Sequence, residues 1–252
     1  MRKKFMDTEE CSKKLEKNLQ QFTSSVADVL VEESYTPNQV IPKQTQKERL
    51  QQQLDQEFSV FTKRIKDGVK QIMQSMVKLE LVSAATIQDL NRLLELSQNF
   101  VVDNTKLVAQ LKQEKSLQEI VKISDCTLDK LYMAAKHLYD QKQYTQSANA
   151  FYLLTILNPK RYSFWLGLAN SEYFTHNFQL ALIAYANCCQ VNPNDPICHI
   201  FSSRCYEELK EGKLAINALD LALFVINDKP QYAHLSQQIT QEKQRLIKKF
   251  NK

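Results

Sequence analysis

The sequence predicts an all-α protein: three helical hairpins and a C-terminal capping helix, preceded by a bundle or coiled coil of long helices. Two observations predict it. The first is a shortage of turn formers, with three glycines (Gly68, Gly167, Gly212) and six prolines in 252 residues. Sheet hairpins and phosphate loops draw on glycine at positive φ, which this chain can hardly supply. The second is internal repetition with a step of 34: Tyr144 and Phe178, Phe151 and Tyr185, and Pro159 and Pro193 are each 34 apart. Leu131 and Trp165 keep that step, as do Ala134 and Leu168.

An aromatic, a second aromatic seven residues on and a proline eight beyond that, recurring every 34 residues, is the tetratricopeptide (TPR) spacing. Each such unit is a helical hairpin that cannot bury its apolar face alone, so neighbours stack. The stack has a concave side suited to a peptide. That points to a binding protein and away from a catalyst.

The elements follow in order. Cys11, Leu15, Leu19, Phe22, Val26 and Val29 fall on one face of a helix over about 7–33. Pro37 and Pro42 end it. Leu50, Leu54, Phe58, Phe61, Ile65, Val69, Ile72, Met76 and Leu79 stripe a second helix over about 46–81, about 50 Å long. Such a length suggests a helical hairpin or coiled coil, with self-association through Phe58, Ile65 and Ile72. Ser83 caps a further helix and Asp103 another. Residues 1–115 thus form a helical extension, and residues 116–252 the TPR domain with its capping helix.

The hairpins are expected at 127–140 with 144–157, 162–175 with 178–190, and 196–210 with 213–226. In the third the ladder slips, because Leu214 stands 36 beyond Phe178. Two extra residues would then lengthen 208–212, with Gly212 at the turn. Pro230 opens the final helix, which runs to Phe250. Trp165, Phe151, Tyr185 and Tyr144 are expected in the core. The repeats should stand alone, since each apolar face has a sequence neighbour to cover it.

Charge and cysteine usage exclude other classes. The net charge is +5, and the last 24 residues carry six Lys/Arg against Glu242 alone. Residues 126–228 carry 8 against 9, so no basic stripe marks a nucleic-acid surface. The basic final helix reads as a solvated face whose cations complement its C-terminus. No apolar run reaches the roughly eighteen residues that span a bilayer, and residues 1–7 do not start a secretory signal. No C-x-x-C pair occurs among the six cysteines. A zinc site from Cys188, Cys198, His199 and Cys205 is set aside in favour of reduced, buried thiols. His137, His176, His199 and His234 stand without a base or nucleophile at diagnostic spacing. No enzyme activity, metal or cofactor is expected.

Three stretches add a resemblance. Residues 123–132 (Ile-Ser-Asp-Cys-Thr-Leu-Asp-Lys-Leu-Tyr), 164–169 (Phe-Trp-Leu-Gly-Leu-Ala) and 226–229 (Ile-Asn-Asp-Lys) look like the first repeat, second repeat and close of the SycD/LcrH-like class II type III secretion chaperones. The resemblance covers about residues 116–250. It implies a cytoplasmic bacterial chaperone that keeps a hydrophobic translocator or effector soluble, with a client segment in the concave groove. It also implies a homodimer through N-terminal helices, with neither nucleic acid nor stable membrane insertion. A generic TPR scaffold in a larger assembly is the alternative. The carboxylate clamp of eukaryotic TPR co-chaperones is missing, because its places hold Tyr132, Gly167, Ile197 and Phe201.

Repeat geometry puts the first helix of each hairpin on the concave face. The expected peptide-binding residues are Tyr132, Lys136 and Tyr139 in the first repeat. Leu166, Asn170, Tyr173 and Phe174 follow in the second, and Ile200 and Arg204 in the third. Apolar anchors among a few polar groups suit a peptide with apolar side chains.

Overall fold

The computed structural model describes residues 42–99, 115–227, 229 and 232–250, together with 24, 27, 28 and 30–32. Its helices are α1 (Lys43–Lys78), α2 (Ala84–Asn99), α3 (Leu117–Val121), α4 (Asp125–Asp140), α5 (Tyr144–Leu157), α6 (Tyr162–Phe174), α7 (Phe178–Val191), α8 (Ile197–Glu208), α9 (Gly212–Ile226) and α10 (Ala233–Phe250). No strand occurs among the described residues. The helix expected after Asp103 and most of that expected over 7–33 lie outside them, as do the Phe58 side chain and Pro230.

The chain divides into two compact units. One comprises Met1–Lys66 and Val82–Thr127; the other comprises Asp67–Leu81 and Leu128–Lys252. In the first, Ala27 and Val31 are buried, and Asp28 pairs with Lys47 and Glu32 with Lys43. Those pairs run in opposite senses along the two segments, which makes an antiparallel helical hairpin. Ser83 accepts from the Thr86 backbone at 3.3 Å, capping α2 as its sequence required. Buried Asp89 then accepts from the Ser124 backbone (3.1 Å) and hydroxyl (2.7 Å). Helix α3 escaped the periodicity argument because it is a single turn. Its signal was Ser116-x-x-Glu119, which forms a reciprocal capping box.

In the second unit, α4/α5, α6/α7 and α8/α9 are the three hairpins. Their second helices start at Tyr144, Phe178 and Gly212, so the step of 34 continues without a slip. The expected two-residue insertion does not exist. What changes is the side chain: Gly212 stands where the other repeats have an aromatic ring. A Cβ there would come within 2.2 Å of the Phe250 ring. The capping helix α10 therefore fills with Phe250 the space that the missing aromatic leaves. Ile239 and Leu246 of α10 are buried against Ala215, Leu219, Ala222 and Ile226.

Each hairpin turn is also built alike. Lys142, His176 and Lys210 have φ of 59°, 61° and 64°. In each, the next backbone N–H reaches five residues back and the residue's own N–H three back, as in Gln143 to Leu138 (2.9 Å) and Lys142 to Tyr139 (2.8 Å). This is the Schellman closure with a side chain where glycine is usual.

The first repeat does not end at its own sequence neighbours. Residues 67–81 of α1 lie against it: a Cβ on Gly68 would stand 2.4 Å from the Asn149 carbonyl oxygen. The Ser75 hydroxyl donates to the Ala134 carbonyl at 3.0 Å, and Ile72 and Met76 are fully buried. Ile72, expected in a self-association stripe, is thus spent inside the unit. The sequence neighbours alone do not cover the first repeat.

Candidate functional site: the inner face of the hairpins

Burial decides which sequence-chosen residues can meet a ligand. Tyr132 is half-buried, its ring 6.0 Å from Phe151 and 5.9 Å from Phe164. Much of it packs the first repeat on the second. Tyr139, Tyr173 and Phe174 come together. Tyr139 is 6.0 Å from Phe174, and Tyr173 is 5.5 Å from it in an edge-on contact. Tyr144 stacks on Phe174 at 4.6 Å, and Phe178 continues the row beyond Tyr173 at 5.7 Å. Phe174 keeps 47% of its surface exposed. Tyr144 and Phe178 were not among the expected ligand contacts, although the ladder had marked them as a repeated aromatic position.

The polar members have defined partners. Asn170 accepts from the Tyr185 hydroxyl at 2.7 Å through its side-chain carbonyl. Lys136 pairs with Asp140 at 2.7 Å one turn on, and that hydrogen bond raises its pKa. Arg204 is exposed and lies over the Phe201 ring at 4.8 Å. Leu166 is half-exposed, whereas Ile200 packs against the Ala215–Leu219 cluster of the third repeat. Burial raises the phenol pKa of Tyr139 and of Tyr173, with Tyr144 and Glu208 respectively adding to it. Both stay neutral hydrogen-bonding groups at neutral pH.

Of the four aromatics expected in the core, Phe151 and Tyr185 are buried. Tyr144 and Trp165 are only partly so. The Trp165 indole needs an acceptor and finds one at the surface, donating to the Pro159 carbonyl at 2.7 Å. Its neighbour Phe164 takes the buried place instead.

Cys188, Cys189 and Cys198 gather between the second and third repeats. Cys188 and Cys198 are fully buried, and the Tyr162 hydroxyl lies 3.5 Å from Cys198 Sγ and donates to Asp195 at 2.8 Å. Hydrogen bonds from Cys188 and Cys189 hold the Cys198 thiol below its ordinary value, while burial pushes Cys205 up to about 12. Among the described residues no group of three or more His, Cys, Asp or Glu is disposed to hold a metal ion. Nor is any described helix long and apolar enough to cross a membrane.

Fold and inner face together define a three-repeat TPR protein with a capping helix. Similarity to known proteins narrows this. The chain is 26% identical over 130 residues to low calcium response locus protein H of Yersinia pseudotuberculosis serotype I (strain IP32953), covering 52% of this chain and 77% of that protein. Among solved structures, a T3SS complex from Aeromonas hydrophila matches with 21% identity and a TM-score of 0.55. That match covers 58% of this chain and 97% of the other, and it concerns the fold. The Yersinia enterocolitica type III secretion chaperone SycD, in complex with a peptide of the translocator YopD, is 25% identical, covering 50% of this chain and 97% of its own, with a TM-score of 0.47. No family model matches the chain. In sequence, about half of the chain is similar to the SycD/LcrH-like class II group.

Proposed function

We propose that the chain is a non-enzymatic chaperone of the bacterial cytoplasm. It holds an apolar segment of a secreted, translocator-like protein on the inner face of its repeats before type III secretion. One observation carries this reading. Tyr139, Tyr173 and Phe174 form a continuous row of partly exposed rings, with half-exposed Leu166 two turns earlier on α6. Exposed apolar rows of this kind mark binding surfaces. The sequence likeness to low calcium response locus protein H supports the client class. The near-neutral balance of residues 126–228 supports burial over charge as the source of affinity. The peptide-binding set is then Tyr132, Lys136, Tyr139, Leu166, Asn170, Tyr173, Phe174, Ile200 and Arg204, with residues 116–252 as the binding domain and 1–115 as a helical extension.

The test uses the full chain and labelled synthetic apolar peptides, read by fluorescence anisotropy. The double variant Leu166→Glu/Tyr173→Glu should lose binding and keep its helical circular dichroism. Wild-type affinity should change little with salt. Unaltered affinity in the folded double variant would move the site away from this face.

A further inference from the structure

Three thiols meet at the joint between the second and third repeats, and peptide binding on the inner face uses none of them. Cys188 and Cys189 lie in the last turn of α7, and Cys198 is the second residue of α8. Both α7 thiols donate to Cys198. The Cys189 sulfur also lies 3.9 Å from His199 Nδ1 and 3.8 Å from Nε2. The turn that carries Cys198 is tied down. Asp195 accepts from the Tyr162 hydroxyl at 2.8 Å and from the Ile197 backbone at 2.9 Å. That hydroxyl stands 3.5 Å from Cys198 Sγ.

The thiols of this region are not alike. Cys198 opens a 12-residue helix, whose aligned peptide dipoles favour a thiolate there. Its hydrogen bonds to Cys188 and Cys189 let the three sulfurs share one thiolate charge. Cys188 and Cys198 are fully buried, whereas Cys189 keeps part of its surface open. Cys205, also on α8, is fully buried and burial pushes its thiol up. A core thiol of that kind is inert. An accessible sulfur in contact with a second one that favours the thiolate is the arrangement of a reversible oxidation site.

We propose that Cys189 and Cys198 form a reversible disulfide in response to a peroxide, closing residues 189–198 into a ring across the turn between α7 and α8. With hydrogen peroxide as oxidant, the proton shared by the pair moves to Cys198. The Cys189 thiolate then attacks one peroxide oxygen and the O–O bond breaks. This gives a Cys189 sulfenic acid and hydroxide, which takes the proton from Cys198 and becomes water. The Cys198 thiolate next attacks the Cys189 sulfur. The S–S bond forms, the S–O bond breaks and a second hydroxide leaves. The two sulfurs lose two electrons, and the peroxide is reduced to water and hydroxide. Closure to about 2 Å between the sulfurs asks for side-chain rotation at the two helix ends. Buried Cys188 remains a spectator. The bond pins α8 to α7 whether or not the inner face binds a peptide.

The test treats the reduced full chain with hydrogen peroxide at neutral pH and maps the product by mass spectrometry. Trypsin leaves all three thiols in one peptide, residues 162–204. That peptide should lose two hydrogens, stay linked after cleavage before Asp195, and come apart with dithiothreitol. The bond should form at least about tenfold faster than exposed Cys126 is oxidised. Cys188→Ser should still form it, and Cys189→Ser and Cys198→Ser should not. Circular dichroism checks the fold of each variant, and fragmentation of the linked wild-type peptide locates the bond without any variant. A wild-type chain that forms no bond, or forms it no faster than Cys126 oxidises, overturns the proposal. A bond located at Cys188, or one that persists in Cys189→Ser, overturns it in favour of the buried pair.

Discussion

The two ends of the repeat stack are closed in different ways. At the first repeat, residues 67–81 of α1 bring backbone close to backbone: Gly68 faces the Asn149 carbonyl, and Ser75 bonds the Ala134 carbonyl. A polar cavity of about 160 Å³, lined by five glutamines with Ser75, Lys78 and His137, lies beside this contact. At the third repeat, α10 lays a side chain into a vacancy, with Phe250 over Gly212 and Leu246 fully buried beneath. Both closures depend on a glycine inside a helix, yet the neighbour is main chain in one case and a rotatable ring in the other. A ring can be removed by mutation. A carbonyl cannot.

That difference sets the largest expected effect. Gly68→Val should destabilise the protein by about 3 kcal/mol, because α1 must move off α5 bodily. No side-chain truncation elsewhere should restore it. Gly212→Ala should cost less, about 1–2 kcal/mol, since the Phe250 ring can swing aside. In a double-mutant cycle with Phe250→Ala, the pair should cost clearly less than the sum of the single changes. Denaturant titrations of all four proteins give the coupling. Strict additivity at Gly212 would mean that Phe250 does not occupy the missing ring's place.

The same contrast explains what the sequence could and could not convey. Tyr144/Phe178 and Phe151/Tyr185 were legible because an aromatic residue recurs at the same step of 34 in the first two repeats. Gly212 broke the ladder because the ring above it comes from a residue 38 positions later, and periodicity sees only local substitution. Leu214 then looked like the displaced ladder position, although it faces solvent. Ile72 and Met76 were legible as an apolar stripe, but a stripe does not say whether it is buried within the molecule or against another one. For the candidate site, helical spacing chose a face and missed the partners. Nothing in the numbering of Tyr144 and Phe174 announces that they stack at 4.6 Å. Trp165 fell short of the core because its N–H had to find the Pro159 carbonyl.

A second, smaller effect separates the ends by pH. Glu207 of α8 accepts from Arg245 at 2.5 Å and from Lys249 at 2.6 Å, both on α10. The Arg245 hydrogen bond, ahead of the others, holds its carboxyl below the ordinary value of 4.5. A depressed carboxyl contributes stability that is fully present above the ordinary value and lost as pH falls through the folded one. Arg245 is 47% exposed, so solvent screening limits the contribution to about 1 kcal/mol. Glu207→Gln should therefore lower stability by about that amount at neutral pH. The difference from wild type should shrink toward zero in acid. A difference that stays constant from pH 7 to pH 3 would remove Glu207 from the closure by α10.

The smallest effect concerns the glycines that are not there. All three glycines of the chain lie inside helices at close approaches, whereas among the described residues the left-handed positions are Glu80, Lys122, Lys142, His176 and Lys210. A left-handed residue with a Cβ costs roughly 1 kcal/mol relative to glycine. Each hairpin turn therefore carries a small strain that its two backbone hydrogen bonds outweigh. Lys142→Gly should relieve it and stabilise the protein by about 0.5–1 kcal/mol, after allowance for the greater freedom of glycine in the unfolded chain. His176→Gly should gain less, because the His176 ring also meets Phe178 edge-on at 5.7 Å. The order of the two matters more than their size. If His176→Gly stabilised as much as Lys142→Gly, the ring contact would contribute nothing and Phe178 would be free to turn toward a ligand. If Lys142→Gly destabilised, the first turn would not close through a left-handed residue, and the step of 34 shared by the three turns would be a coincidence of sequence.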